Sequence, residues 1–233
     1  MKKLFTLLLI GIFCIGCSSD SSSDDAPSLA TVSSAKQEYD SSNFGIYKGV
    51  FIGSSGTVFI NIMNDGNINA RLVIDGVTYN FTTTVQVALN QAIDGLVFTS
   101  DDMSFTVDVS ADGSDISVVS SNIPGHLGAT FNIVKEYSSD LVKCYEGTYT
   151  GTDQGTFNMV IIDTYIYGLT RPNVAESEAV FLTGSLNLQT NGIEGSYEGG
   201  SFGGTLSGNN VSGEWQNTNP QDGSGTWTGT RTL

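Results

Sequence analysis

The sequence has 233 residues, with 24 acidic and 9 basic side chains and a net charge of −15. This excess of negative charge argues against nucleic acid and against anionic lipid headgroups as direct partners, because an acidic surface repels both. Hydrophobic residues make up 39% of the chain, which is enough to build a packed core. The composition therefore favours an acidic globular protein that binds no nucleic acid.

The chain begins with the features of a secretory leader. Lys2 and Lys3 precede an uncharged apolar run over 4–15, and Gly16 follows it. A basic start, an apolar stretch and a small residue are typical of a signal peptide. The run is also shorter than the roughly 20 residues that a membrane-spanning helix needs. We therefore predict a signal peptide over residues 1–16, whose removal leaves an even more acidic chain.

The end of this leader, Cys14-Ile15-Gly16-Cys17, resembles a bacterial lipobox. One position departs from that pattern, because Cys14 stands where a leucine is usual. The resemblance implies that the Cys17 thiol is acylated and that the new amino group is often acylated too. Several acyl chains together hold a soluble domain stably at a membrane. A plain secretory leader with an unmodified cysteine is the alternative.

The predicted lipidation of Cys17 also limits the thiol chemistry that is open to the chain. With Cys14 lost and Cys17 acylated, Cys144 is the only thiol left among the 3 cysteines. An internal disulfide and a zinc–thiolate cluster are then excluded. We expect Cys144 to pack, unreactive, at the joint between two domains. The covalent lipid is the only prosthetic group that this pattern implies.

A polar segment follows the anchor, and we predict that residues 17–43 form a solvated tether with a weak helical turn near 35–38. Such a serine-rich and aspartate-rich stretch cannot bury apolar surface. It resembles the export signal of surface lipoproteins of the Bacteroidota, which would send the protein to the outer face of the outer membrane. The alternative is a periplasm-facing lipoprotein with an ordinary linker. The residues that carry this resemblance are Ser18, Ser19, Asp20, Asp24 and Asp25.

The body of the chain has the pattern of antiparallel β-strands. In "TVFINIM" the apolar residues Val58, Ile60 and Ile62 alternate with others, and "SFTVDVS" alternates in the same way. A period of two indicates half-buried strands. Tight turns are predicted at aspartate–glycine and asparagine–glycine pairs, which accept positive φ angles. These pairs are Asp65-Gly66, Asp75-Gly76, Asp94-Gly95, Asp112-Gly113, Asn191-Gly192 and Asp222-Gly223.

The strand pattern occurs twice. The motif Gly-x-Tyr-x-Gly at 45–49 recurs at 147–151, and "SFTVDVS" is mirrored by "SFGGTLS". We therefore predict an all-β fold with two tandem antiparallel barrel or meander domains of about eight strands each, over 44–137 and 138–233. One larger barrel built from both halves is the alternative. The glycine and aromatic spacing resembles β-barrel modules of Bacteroidota lipoproteins, which implies architecture and not activity.

Two groups of residues are candidates for binding. Trp215, Trp227 and Tyr197 belong to the aromatic-rich second copy and could bind a glycan or a small apolar molecule in a barrel mouth. They could instead only fill a glycine-rich core. Asp112 and Asp115 could contribute oxygen ligands to Ca²⁺, although no complete calcium-loop pattern surrounds them. Aspartates at hairpin turns are also ordinary turn residues.

No pattern for catalysis stands out. His126 is the only histidine and lies in "NIPGHLG", with no nucleophile motif around any serine. Glycoside hydrolysis needs two acids that face each other across one cleft. The spaced acids of the second copy are Glu194, Glu198 and Glu214. We therefore expect a non-enzymatic outer-membrane lipoprotein that docks as an accessory subunit on an outer-membrane protein or complex. The alternative is a ligand-capture protein that uses the C-terminal barrel.

Overall fold

The computed structural model describes residues 29–126, 128–174, 177–219 and 221–233. The leader, Cys17 and the export segment from Ser18 to Asp25 lie outside the described residues. In the described part the structure is all-β, with one short 3₁₀ turn at Gln37–Tyr39, where a weak turn was expected. No helix in this part is both long and apolar enough to cross a membrane.

The first half of the body forms one eight-stranded antiparallel sheet. Its strands follow the order β7-β6-β5-β4-β3-β2-β1-β8, so β7 and β8 are the two edges. These edges lie beside each other without forming a hydrogen-bonded ladder, which leaves an open seam in an otherwise curled sheet. The strands are β1 Gly45–Ile52, β2 Gly56–Ile62, β3 Ile68–Ile74, β4 Val77–Thr82, β5 Ile93–Ser100, β6 Met103–Val109, β7 Ile116–Asn122 and β8 Thr130–Glu136.

The second half forms a closed barrel of eight strands, in which β16 pairs with β9. The prediction of two tandem all-β units of about eight strands each is therefore confirmed. The strands are β9 Lys143–Gly151, β10 Gly155–Ile162, β11 Tyr165–Pro172, β12 Val180–Asn187, β13 Gly192–Tyr197, β14 Gly200–Ser207, β15 Asn210–Asn217 and β16 Ser224–Arg231.

The strand registers correct the predicted alignment of the two copies. Tyr47 lies opposite Lys135 of β8 and Ile60 of β2. The residue in the same place of the second barrel is Tyr145, which lies opposite Arg231 of β16 and Met159 of β10. Matching the Gly-x-Tyr-x-Gly motifs, which paired Tyr47 with Tyr149, is therefore wrong. The motif recurs out of register because inward glycines repeat along both strands.

One predicted turn is also wrong. Asp94-Gly95 lies inside β5, where the pairing with β6 shifts between Ile93 and Leu96. Gly95 has a φ of +76°, and its N–H donates to Asp108 Oδ1 at 2.7 Å. A glycine with positive φ accommodates a β-bulge as readily as a hairpin turn, so the dipeptide alone does not distinguish the two.

The two interiors are filled in different ways. Apolar side chains such as Val58, Phe105 and Val107 alternate into the first unit and fill it, as the period of two predicts. In the second barrel aromatic rings lie over inward glycines. A Cβ at Gly195 would lie 2.2 Å from Cζ of Phe202, and a Cβ at Gly204 would lie 2.6 Å from Cζ2 of Trp227. Inward glycines therefore let large rings fit within a narrow barrel.

The two units pack against each other through β1 and β10, whose outer faces are buried as well as their inner faces. Asn158 Nδ2 donates to the Phe51 carbonyl at 2.7 Å across this contact. Cys144 is fully buried here, its Sγ lies 3.4 Å from the Gly49 carbonyl, and burial raises the pKa of its thiol to about 12. The apolar residues of the interface are Val50, Val142, Cys144, Val160 and Ile162.

Candidate functional site

A cavity of about 200 Å³ opens at one end of the C-terminal barrel. Strands β9, β11, β13 and β15 end around it, and β10, β12, β14 and β16 begin there. Because neighbouring strands are antiparallel, this end collects residues from turns that are far apart in the sequence. Closure of the barrel between β16 and β9 completes its wall.

All three aromatic residues predicted as a binding site line this cavity. Trp227 is 4% exposed and Trp215 is 9% exposed, whereas Tyr197 is partly exposed. Their polar atoms are already paired. The indole N–H of Trp215 donates to the Thr150 carbonyl, that of Trp227 donates to the Glu214 carbonyl, and the Tyr197 hydroxyl donates to Asn217 Oδ1, each at 3.1 Å. These residues therefore offer ring surfaces to a ligand and not free hydrogen-bond donors.

Three further aromatic rings complete the wall. Tyr149 contacts Trp215 edge-to-face at a centroid distance of 5.8 Å, and Phe157 contacts Trp227 in the same way at 5.4 Å. Phe202 also meets Trp227 edge-to-face, at 6.1 Å. Edge-to-face pairs hold the rings in fixed orientations. The sequence did not single out Phe157, although its position after the Gly155-Thr156 strand start is a signal that could have identified it.

Carboxylates form part of the cavity lining. Asp153 lies in the β9–β10 turn, Glu198 in the β13–β14 turn and Asp222 in the β15–β16 loop. Sequence reasoning missed this set, because each acid belongs to a different loop and only the closed barrel brings the loops together. Among the described lining residues there is no lysine, arginine or histidine. The site therefore combines an aromatic wall with acidic groups.

The tyrosines of the wall are neutral at physiological pH. Burial, together with the negative charge of Asp153, raises the pKa of Tyr149 to about 12. Burial also raises the pKa of Tyr197 above its ordinary value. Both phenols therefore keep their protons, so the negative charge of the cavity comes from its carboxylates alone.

The predicted calcium residues lie in the β6–β7 turn and serve the turn itself. Asp112 accepts hydrogen bonds from Ser110 Oγ at 2.7 Å and from the Ser114 hydroxyl at 2.8 Å. Hydrogen bonds from Ser110 and Ser114 lower the pKa of Asp112 to about 2. The main-chain N–H of Asp115 donates to Ser110 Oγ at 3.0 Å. Within the described residues no three His, Cys, Asp or Glu side chains are grouped to hold a metal, and calcium binding stays a prediction.

The residues considered for catalysis do not form one cleft. His126 Nδ1 contacts the hydroxyl of Ser54, but in the described part of the chain no carboxylate lies within hydrogen-bonding distance of the imidazole. The pair thus lacks the acid that orients the base in a triad. Of the three spaced glutamates, only Glu198 lines the cavity. Glu194 in β13 and Glu214 in β15 are exposed and do not line it.

No family model matches the sequence, and no curated protein or solved structure matches it. We therefore infer the function from the cavity, its aromatic wall and its carboxylates.

Proposed function

We propose that this protein is a lipid-anchored, surface-exposed lipoprotein of the outer membrane that captures a small molecule in the C-terminal barrel without chemical conversion. The observation that carries this proposal is the aromatic cavity, which opens at one end of a closed barrel and contains the predicted Trp215, Trp227 and Tyr197. Concave sites with mainly apolar walls and a few polar groups are typical of small-molecule binding. The first unit has a filled interior and packs against the outer face of this barrel.

The proposed location depends on Cys17 and on the acidic segment that follows it. Replacing Cys17 with alanine removes the acceptor for the acyl chains, so we expect the protein to leave the membrane fraction for the soluble fraction. Cell fractionation with immunoblotting measures this change. Replacing the buried Cys144 with alanine is the matched control and leaves the membrane fraction unchanged. A Cys17→Ala protein that stays membrane-bound would contradict the lipid anchor.

Ligand capture is tested by closing the mouth of the cavity. Val180 lines the mouth at the start of β12, and a phenylalanine there would fill part of the cavity. We expect Val180→Phe to weaken the binding of one-ring probes, benzyl alcohol and benzylamine, by about tenfold or more, because they compete for the same volume. Both tryptophans of the chain line the cavity, so a saturable change in tryptophan emission reports binding.

The matched control for this test is Val97→Phe on the outer face of β5, where Val97 is 39% exposed. It adds the same side chain far from the cavity in sequence and should leave probe affinity unchanged. Calorimetry on the same proteins gives the affinities independently of fluorescence. Failure of both probes to bind the unaltered protein would contradict ligand capture.

The accessory-subunit hypothesis is the second candidate, and the open seam supports it. Strands β15 and β16 pair along Asn210–Gln216, whereas the corresponding β7 and β8 do not pair. Unpaired edges offer main-chain N–H and C=O groups to an added strand. An extended strand of an outer-membrane protein would pair with one of these two edges, next to the groove that Val118 and Phe131 line. A stoichiometric protein partner in mild-detergent extracts would favour this role, and a protein extracted alone would contradict it.

A further inference from the structure

The size and the charge of the cavity restrict the chemical class of its ligand. A cavity of about 150 Å³ in another protein holds a benzene molecule, so the 200 Å³ here accommodates one ring with a short substituent. Larger ligands would have to extend beyond the mouth. The walls next to Met159, Leu182 and Trp227 are apolar and suit the ring.

The acidic groups of the cavity determine the charge of the substituent. Asp153, Glu198 and Asp222 come from three separate loops and line one cavity. Across the described residues none of the three forms a salt bridge, and no basic side chain lines the cavity. Among the described residues their side chains take part in one hydrogen bond, which the Gln154 N–H donates to Asp153 Oδ1 at 2.7 Å. All three residues are exposed at the mouth of the cavity, where carboxylates without a cationic partner attract a positive group.

The aromatic wall adds to the same preference. The faces of tryptophan and tyrosine rings attract cations, and the attraction grows as water is excluded. The indole N–H groups of Trp215 and Trp227 are used by main-chain carbonyls, so the rings interact with a ligand through their faces and edges. An anionic ligand would meet the negative faces of these rings and the carboxylates together. Both effects select against anions.

We propose that the captured ligand is a compact organic cation, an amine of one ring whose ammonium group faces Asp153, Glu198 and Asp222 and whose ring lies against the aromatic wall. This inference rests on the proposed capture function and assigns the class of ligand to that same cavity. The three carboxylates are binding residues and carry out no chemical step. The ligand enters and leaves unchanged.

Three probes of nearly equal size test the assignment: benzylamine, benzyl alcohol and benzoate, which are cationic, neutral and anionic at pH 7. We expect benzylamine to bind the purified full-length protein about tenfold more tightly than benzyl alcohol, a factor that corresponds to roughly 1.4 kcal/mol. Benzoate should bind more weakly than either. Because salt screens charges that face solvent, the advantage of benzylamine should shrink as ionic strength rises.

The carboxylates are then neutralised together as Asp153→Asn, Glu198→Gln and Asp222→Asn. This variant should lose the preference for benzylamine and keep its affinity for benzyl alcohol. A matched variant with Asp94→Asn, Asp101→Asn and Asp102→Asn removes the same charge from exposed positions of the first unit and should keep the preference. Equal binding of benzylamine and benzyl alcohol by the unaltered protein overturns this inference and leaves capture standing, whereas failure of both probes overturns capture itself.

Discussion

Replacement of Gly204 with alanine is expected to destabilise the C-terminal barrel by about 3 kcal/mol, at the upper end of the range for overpacked cores. A Cβ at this position would lie 2.2 Å from the Ser212 carbonyl oxygen and 2.6 Å from Cζ2 of Trp227. The first contact is with the main chain of β15, so no side-chain rotation relieves it. For a chain of this size the loss corresponds to a fall in melting temperature of roughly 6–12 °C.

The neighbouring residue provides the control. Gly203 points to the opposite side of β14, and the nearest atom to a Cβ there is the Ile193 carbonyl oxygen at 3.7 Å. We expect Gly203→Ala to change the free energy of unfolding by less than about 0.5 kcal/mol, as at other open surface positions. Thermal and denaturant unfolding of the two variants measures the difference. Equal effects at both positions would contradict the assignment of Gly204 to the barrel interior.

Replacement of Glu136 with leucine is expected to lower stability by about 3–5 kcal/mol, because it leaves a buried ammonium group without its partner. Glu136 is fully buried at the end of β8 and pairs with Lys48 of β1. It also accepts hydrogen bonds from the Val142 N–H at 3.0 Å and the Ser33 hydroxyl at 3.1 Å. Its loss would therefore loosen both the interface between the units and the segment that precedes β1.

Two variants separate the buried charge from other effects of this change. Lys48→Met together with Glu136→Leu removes both charges and should recover much of the loss, since a buried pair replaced by apolar groups is often neutral. Lys36→Ala removes an exposed pair, in which Lys36 and Glu38 lie 3.9 Å apart, and should cost less than about 1 kcal/mol. Similar losses for Glu136→Leu and Lys36→Ala in chemical denaturation would contradict the importance of the buried pair.

Local patterns in the sequence were sufficient to predict the half-buried strands. The alternation in β6 places Phe105, Val107 and Val109 inside, as the period of two requires. Strands β1 and β10 do not alternate, because one face of each lines a barrel and the other packs against the neighbouring unit. Each strand ends in an uninterrupted apolar run, residues 50–52 in β1 and 159–162 in β10, which is typical of strands that are buried on both faces. That signal could have predicted the interface.

The candidate site was predictable only in part. Trp215 and Trp227 stand out because they are the only two tryptophans and lie among glycines on neighbouring strands. The sequence does not group the carboxylates of Asp153, Glu198 and Asp222. Acidic residues are common in any surface loop, and these three line one cavity only because the barrel closes. For the same reason, aligning the two Gly-x-Tyr-x-Gly motifs paired Tyr47 with Tyr149, although Tyr145 is the residue that corresponds to Tyr47. Strand register depends on partners distant in the chain and not on local spacing.

The most direct test of ligand capture is native mass spectrometry of the intact protein, extracted from cells in mild detergent. We expect a stoichiometric small organic cation on the unaltered protein and its loss from the Val180→Phe variant. The Val97→Phe variant should retain it. A protein that carries no small molecule and elutes with a stoichiometric membrane-protein partner would contradict ligand capture and favour the accessory-subunit role.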